Sequence, residues 1–234
     1  MLDRFRKSIH PLLLKMMPGR RDFQLKLINE MPSTHGNKIF VMNHSNTHDG
    51  PIACETICEH FYVLVGKQSL EILDRLFFRL NGVIYIDRKN KKSRRRGFNK
   101  MIKILNAGNN LLMYPEGTWN MTPSKPMIPM NWGVIELAKR TGVPIIPLVA
   151  EYRPDCCYVK FGEAIYINEE MDKKTGIEQL EDTMATLRWN IWEQLGVEKR
   201  TDSLKEEFEL LIQYRVHEYR KFDLEYEQSV VRER

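Results

Sequence analysis

The segment Asn43-His44-Ser45-Asn46-Thr47-His48-Asp49-Gly50-Pro51 places two imidazoles and a carboxylate directly after an apolar run. A histidine titrates near neutral pH and serves as a general base when a carboxylate holds its second ring nitrogen. The carboxylate fixes the tautomer and stabilises the imidazolium that forms. His44 and Asp49 are five residues apart, an offset that a tight turn can close. Read alone, a histidine and an aspartate in a polar loop are more often helix-capping groups. His44, His48 and Asp49 also suggest a metal-dependent hydrolase, but no downstream cluster completes a metal shell.

Two further segments carry polar groups after apolar runs. Tyr114-Pro115-Glu116-Gly117-Thr118 holds a carboxylate, a conformationally permissive glycine and a hydroxyl. Gly82-Val83-Ile84-Tyr85-Ile86-Asp87-Arg88 ends on an arginine, the side chain best suited to bidentate phosphate contact. Arg88 can equally pair with Asp87 or Glu116 as a structural ion pair. No Gly-x-Ser-x-Gly elbow is present, which argues against a serine hydrolase.

The elements that must position these groups follow from hydrophobic pattern. Short β-rich runs occur at 38–42, 61–65, 83–86, 110–114, 144–150 and 158–161, with helical patterns at 51–59, 69–80, 94–107 and 131–141. The alternation predicts an α/β fold with a largely parallel or mixed central sheet flanked by helices. Reactive residues collect in loops at strand ends of such sheets. Three parts are expected: an N-terminal helical segment over 1–30, a domain over 31–200 containing a helix at 176–195, and a helical extension over 201–234. Residues 2–17 mix apolar Phe5, Ile9, Leu12, Leu13 and Met16 with basic Arg4, Arg6, Lys7 and Lys15, with Pro11 expected to interrupt the helix. That composition suits a helix lying on a membrane surface or one packed on the core.

At 234 residues, 42% hydrophobic and 29% charged, the composition is that of a folded chain with one sizeable core. No stretch is long enough to span a bilayer, and no secretory leader is evident, so membrane contact is expected to be peripheral. Cys54, Cys58, Cys156 and Cys157 lack a zinc spacing and read as buried thiols in a reducing, cytoplasmic setting.

Taken together, these blocks resemble the phospholipid and glycerol acyltransferase family, which includes the lysophosphatidate acyltransferases. His44–Asp49 is similar to its His-x4-Asp block, Gly82–Arg88 to its second and Tyr114–Thr118 to its third. Val143-Pro144-Ile145-Ile146-Pro147 is similar to its fourth. The resemblance covers residues 38–165. It implies that His44 deprotonates an acceptor hydroxyl, with Asp49 orienting it, and that the hydroxyl attacks an acyl thioester directly, without an acyl-enzyme. The donor is then acyl-CoA or acyl carrier protein, and the acceptor a phosphate-bearing lipid such as 1-acylglycerol 3-phosphate. Arg88, Glu116, Gly117 and Thr118 would bind the acceptor's phosphate and glycerol end. Lys67 would help stabilise the oxyanion, and neither cofactor nor metal is implied. One departure stands out: the family usually follows Pro-Glu-Gly-Thr with arginine, whereas this chain has Trp119 and Asn120.

The run from Arg88 to Lys103 is strongly basic. It reads either as a solvated helix face or as a surface for anionic lipid head groups at the inner face of a membrane. Acyl carrier protein, being acidic, is a second partner for it. Without interleaved aromatics or a recognition fold, nucleic acid is not expected. A membrane-surface module that has kept the fold without the activity is the non-enzymatic alternative, but both His44 and Asp49 are present.

Overall fold

The computed structural model describes residues 2–16, 23–66, 79–122, 125–196 and 201–218. Its centre is a seven-stranded mixed sheet formed by β1 (Gln24–Leu27), β2 (Ile39–Met42), β3 (Phe61–Gly66), β4 (Val83–Ile86), β5 (Asn110–Met113), β6 (Ile145–Arg153) and β7 (Cys156–Phe161). The spatial order is β1-β7-β6-β2-β5-β3-β4. Strands β6, β2, β5, β3 and β4 are mutually parallel, whereas β7 turns back antiparallel to β6 and carries β1 parallel to itself.

The helices are α1 (Leu2–Met16), α2 (Asp49–Ile57), α3 (Lys91–Asn106), α4 (Gly133–Thr141), α5 (Lys173–Leu195) and α6 (Asp202–Glu218). The pleat divides the core between the two faces of the sheet. Ile39 and Val41 of β2 join a cluster with Leu105 of α3, Ile135 of α4 and Leu180 of α5, while Phe40 and Met42 pack with Ile52 and Ile57 of α2. All four β2 residues are buried, as a strand covered on both faces requires.

The α/β expectation and most element positions agree with the structure. Strand β1 has no counterpart in the sequence reading. Helix α1 continues through Pro11, where an interruption was expected. Proline adopts a helical φ itself, so what the helix loses is one backbone hydrogen bond, and tertiary contacts hold this helix. Arg6 donates to the Tyr62 hydroxyl at 2.8 Å, the same hydroxyl donates to Asp3, and His10 is buried against Phe61. Most of the helix expected over 69–80, and the stretch beyond residue 218, lie outside the described residues. Cys58 is exposed rather than buried, because it closes α2 in a left-handed conformation, whereas the other three thiols are enclosed. Among the described residues, no helix is long and apolar enough to cross a membrane.

Gly82, which opens the second sequence block, explains itself through packing. Its φ is +96°, and a Cβ there would stand 2.6 Å from the Tyr62 ring. That ring is pinned by Arg6 and Asp3 of α1 and cannot yield. Gly82→Ala is expected to destabilise the protein by about 2 kcal/mol or more, combining backbone strain with overpacking. A thermal melt should show a Tm lower by roughly 4–8 °C.

Candidate active site

Three loops meet beyond the C-terminal ends of β2, β5 and β4, where a parallel sheet presents its loops to ligands. The first follows Met42. Asn43 is fully buried and clamps the backbone of β6, donating to the Ala150 carbonyl at 3.0 Å and accepting from the Ala150 N–H at 2.8 Å. This fixes the direction in which His44 leaves the sheet. The register pairs Met42 with Leu148, so β6 runs on past the end of β2 alongside the loop.

His44 Nδ1 lies 2.7 Å from Asp49 Oδ2. The same oxygen accepts the backbone N–H groups of Ser45 and Asn46 at 2.7 and 2.9 Å. The other carboxylate oxygen accepts the Tyr152 hydroxyl at 2.5 Å. Asp49 is fully buried, so these four donors replace its hydration. It also opens α2, where the helix dipole favours negative charge. Burial pushes the Tyr152 hydroxyl well above its ordinary pKa, with the Asp49 charge adding to the effect, so it stays protonated and donates.

The opposite nitrogen, His44 Nε2, receives the indole N–H of Trp119 at 2.9 Å. Indole is only a donor and an ionised carboxylate only an acceptor, so the two contacts fix the ring as the Nδ1–H tautomer with its lone pair on Nε2. Tyr114 stacks on the imidazole at 4.5 Å between centroids.

Glu116 is fully buried and spans two loops, accepting the His44 N–H at 2.7 Å and the Ile128 N–H at 3.1 Å. Burial raises its pKa to about 7, against the lowering effect of those two bonds. Its geometry is that of a brace beneath His44. Gly117 takes the left-handed conformation (φ +67°) that closes the turn, with its N–H on the Tyr114 carbonyl. Thr118 is buried beside it.

Arg88 approaches from the edge strand β4. It reaches across the end of β3 to donate to the Gly117 carbonyl. The crossing passes close over Gly66, where a Cβ would sit 3.3 Å from the Arg88 guanidinium and make a tight contact. His44, Asp49, Arg88, Glu116, Gly117 and Thr118 therefore gather at one end of the sheet. Lys67 lies outside the described residues. His48 turns its ring edge-on to Phe23, and among the described residues no three His, Cys, Asp or Glu side chains are grouped to hold a metal ion.

Neither Tyr152 nor the clamp made by Asn43 is among the site features expected from the sequence. Neither carries a local signal, because the Tyr152 partner is 103 positions away and the Asn43 partner 107.

A family model described as Acyltransferase matches residues 24–151. A 1-acyl-sn-glycerol-3-phosphate acyltransferase of Escherichia coli (strain K12) is 29% identical over 133 residues, covering 54% of this chain and 53% of that protein. The protein of the same description from Salmonella typhimurium gives the same figures. The matched stretch thus spans about half the length of these relatives. Among solved structures, the 1-acyl-sn-glycerophosphate (LPA) acyltransferase PlsC of Thermotoga maritima superposes with a TM-score of 0.60 at 15% identity, covering 85% of this chain and 80% of its own. That likeness is one of fold.

Proposed function

This chain belongs to the acyltransferase family, and from that premise we propose that it transfers a fatty acyl group from a thioester to the hydroxyl of a phosphate-bearing lipid acceptor. The acceptor that the relatives' descriptions favour is 1-acylglycerol 3-phosphate. The observation that carries the reading is the imidazole held by Asp49 on Nδ1 with its lone pair on Nε2. Nε2 takes the acceptor's proton as the hydroxyl oxygen bonds to the thioester carbonyl carbon. The C–S bond then breaks, and the departing thiolate recovers the proton from the imidazolium, leaving ester and thiol. Asp49 stabilises the positive charge that His44 carries between these steps. No enzyme-bound acyl group is needed.

Arg88 supplies the fixed positive charge for the acceptor's phosphate, with Gly117 and Thr118 lining the same turn. Glu116 contributes by holding that turn against His44. Lys67 keeps the proposed role of supporting the oxyanion. Acyl-CoA and acyl carrier protein are both candidate donors. Supplying palmitoyl-CoA or palmitoyl-acyl carrier protein with 1-acylglycerol 3-phosphate, glycerol 3-phosphate and a phosphate-free monoacylglycerol tests the reading. Ester formation is expected with a phosphate-bearing acceptor, and its absence with every such acceptor would overturn it.

The reading includes peripheral attachment at the inner face of a membrane. Helix α1 docks through its polar side, Asp3, Arg6 and His10, and leaves Phe5 and Leu12 more than half exposed. Helix α3 presents Lys91, Lys92, Arg94, Arg95, Arg96, Lys100 and Lys103 to solvent. Each cation near an anionic surface contributes roughly 1 kcal/mol. Reversing Arg94, Arg95 and Arg96 to Glu is expected to weaken sedimentation with phosphatidylserine-containing vesicles by about 100-fold or more at low salt. Unaltered sedimentation would remove α3 from the membrane surface.

A further inference from the structure

We propose that Trp119 guards the base, so that His44 serves an acceptor alcohol in preference to water. The inference rests on His44 being the general base. An imidazole nitrogen has a single lone pair in the ring plane, and on Nε2 that pair already holds the Trp119 N–H at 2.9 Å. An incoming hydroxyl needs the same lone pair, so it must displace the indole.

The contact is built into the chain. The segment 116–120 grips His44 at three points: Glu116 accepts its N–H at 2.7 Å, Asn120 donates to its carbonyl at 2.6 Å, and Trp119 caps its ring. The indole meets the imidazole edge-on, with the ring planes at 83°, and Trp119 is buried. Asn120 is in turn tied to the Lys125 carbonyl and to Thr122, which anchors the end of the grip. An arginine at position 119, as the sequence pattern of the family leads one to expect, would bring a cation to this place. This chain brings a neutral donor instead.

The consequence is a difference between two nucleophiles. Water reaching Nε2 would lose its proton there, bond through oxygen to the thioester carbonyl carbon and expel the thiol, leaving a free fatty acid. Water has no phosphate or acyl chain to bind, so nothing offsets loss of the indole contact. An acceptor bound through its phosphate and chain supplies that free energy and opens the guard as it docks. The hydrogen bond thereby suppresses hydrolysis in the absence of acceptor, and its cost to transfer falls on KM rather than on kcat.

Trp119→Phe keeps a ring and removes the donor. Hydrolysis of palmitoyl-CoA without acceptor is expected to rise about fivefold, the equivalent of one ordinary hydrogen bond. The acceptor KM should fall by a similar factor, with the gain absent from kcat. Incorporating the benzothienyl analogue of tryptophan at 119, which replaces N–H with sulfur at nearly constant shape, should reproduce both changes if Trp119→Phe disturbs folding. Parental hydrolysis together with parental KM in a folded variant would overturn the guard, as would a loss of hydrolysis and transfer alike. His44→Ala separates the two layers: if it retains transfer, the base assignment itself has failed, whereas its loss beside a silent Trp119→Phe removes only the guard.

Discussion

Asp49→Asn is expected to lower kcat for acyl transfer by about 10²- to 10⁴-fold while leaving the protein folded. The carboxylate accepts four donors on two oxygens: His44 Nδ1–H, two backbone N–H groups and the Tyr152 hydroxyl. An amide has one accepting oxygen. If that oxygen faces the imidazole, the loop contacts survive but the negative charge opposite the forming imidazolium is gone. If the NH2 group faces the imidazole, Nδ1 must accept, the proton moves to Nε2, and the lone pair is lost from the reacting side. Either orientation would disable His44 in the proposed role of base. Steady-state kinetics with far-ultraviolet circular dichroism checks the result, and a kcat within threefold of the parent would mean that Asp49 only shapes the loop.

Arg188→Met is expected to produce the largest loss of stability. Arg188 Nε pairs with Glu151 at 2.7 Å, and both side chains are about nine-tenths enclosed. The guanidinium also donates to the Pro126 carbonyl at 2.8 Å and lies over the Trp192 ring. Removing one partner of such a pair leaves a carboxylate buried without compensation, at a cost of about 3–5 kcal/mol. For a domain of this size that corresponds to a Tm lower by roughly 6–20 °C. Adding Glu151→Gln should recover part of the loss, since the stranded charge is then removed. The effect should reach the site, because Pro126 belongs to the segment that brings the Ile128 N–H to Glu116. A melt within 2 °C of the parent, on the order of the shift from 1 kcal/mol or less, would show that the pair contributes little.

The sequence was most informative where chemistry and fold share one short segment. Ile39–Met42 could be read as a buried strand from its unbroken apolar run, and the loop after it carries His44 and Asp49 within one turn. Gly82 and Gly117 were visible as block residues, and the structure gives each a positive φ. What stayed hidden depends on distant partners. Strand β1 alternates polar and apolar residues and is mostly exposed at the sheet edge, so it has no buried run to announce it. The reversal of β7 against β6 is a property of pairing, and the runs at 144–150 and 158–161 look alike in either direction. Tyr152 reaches Asp49 only because β6 outlasts β2. Glu116, expected to meet the acceptor, accepts one backbone amide from the loop after β2 and another from farther along its own β5–α4 connection.

The base assignment is tested most directly by single-turnover acyl transfer with His44→Ala, using a thioester donor and 1-acylglycerol 3-phosphate. Loss of a general base should slow the chemical step by about 10²-fold or more, in a protein whose melt matches the parent. Transfer at the parental rate would show that the proton leaves by another route and that the imidazole between Asp49 and Trp119 is not the base.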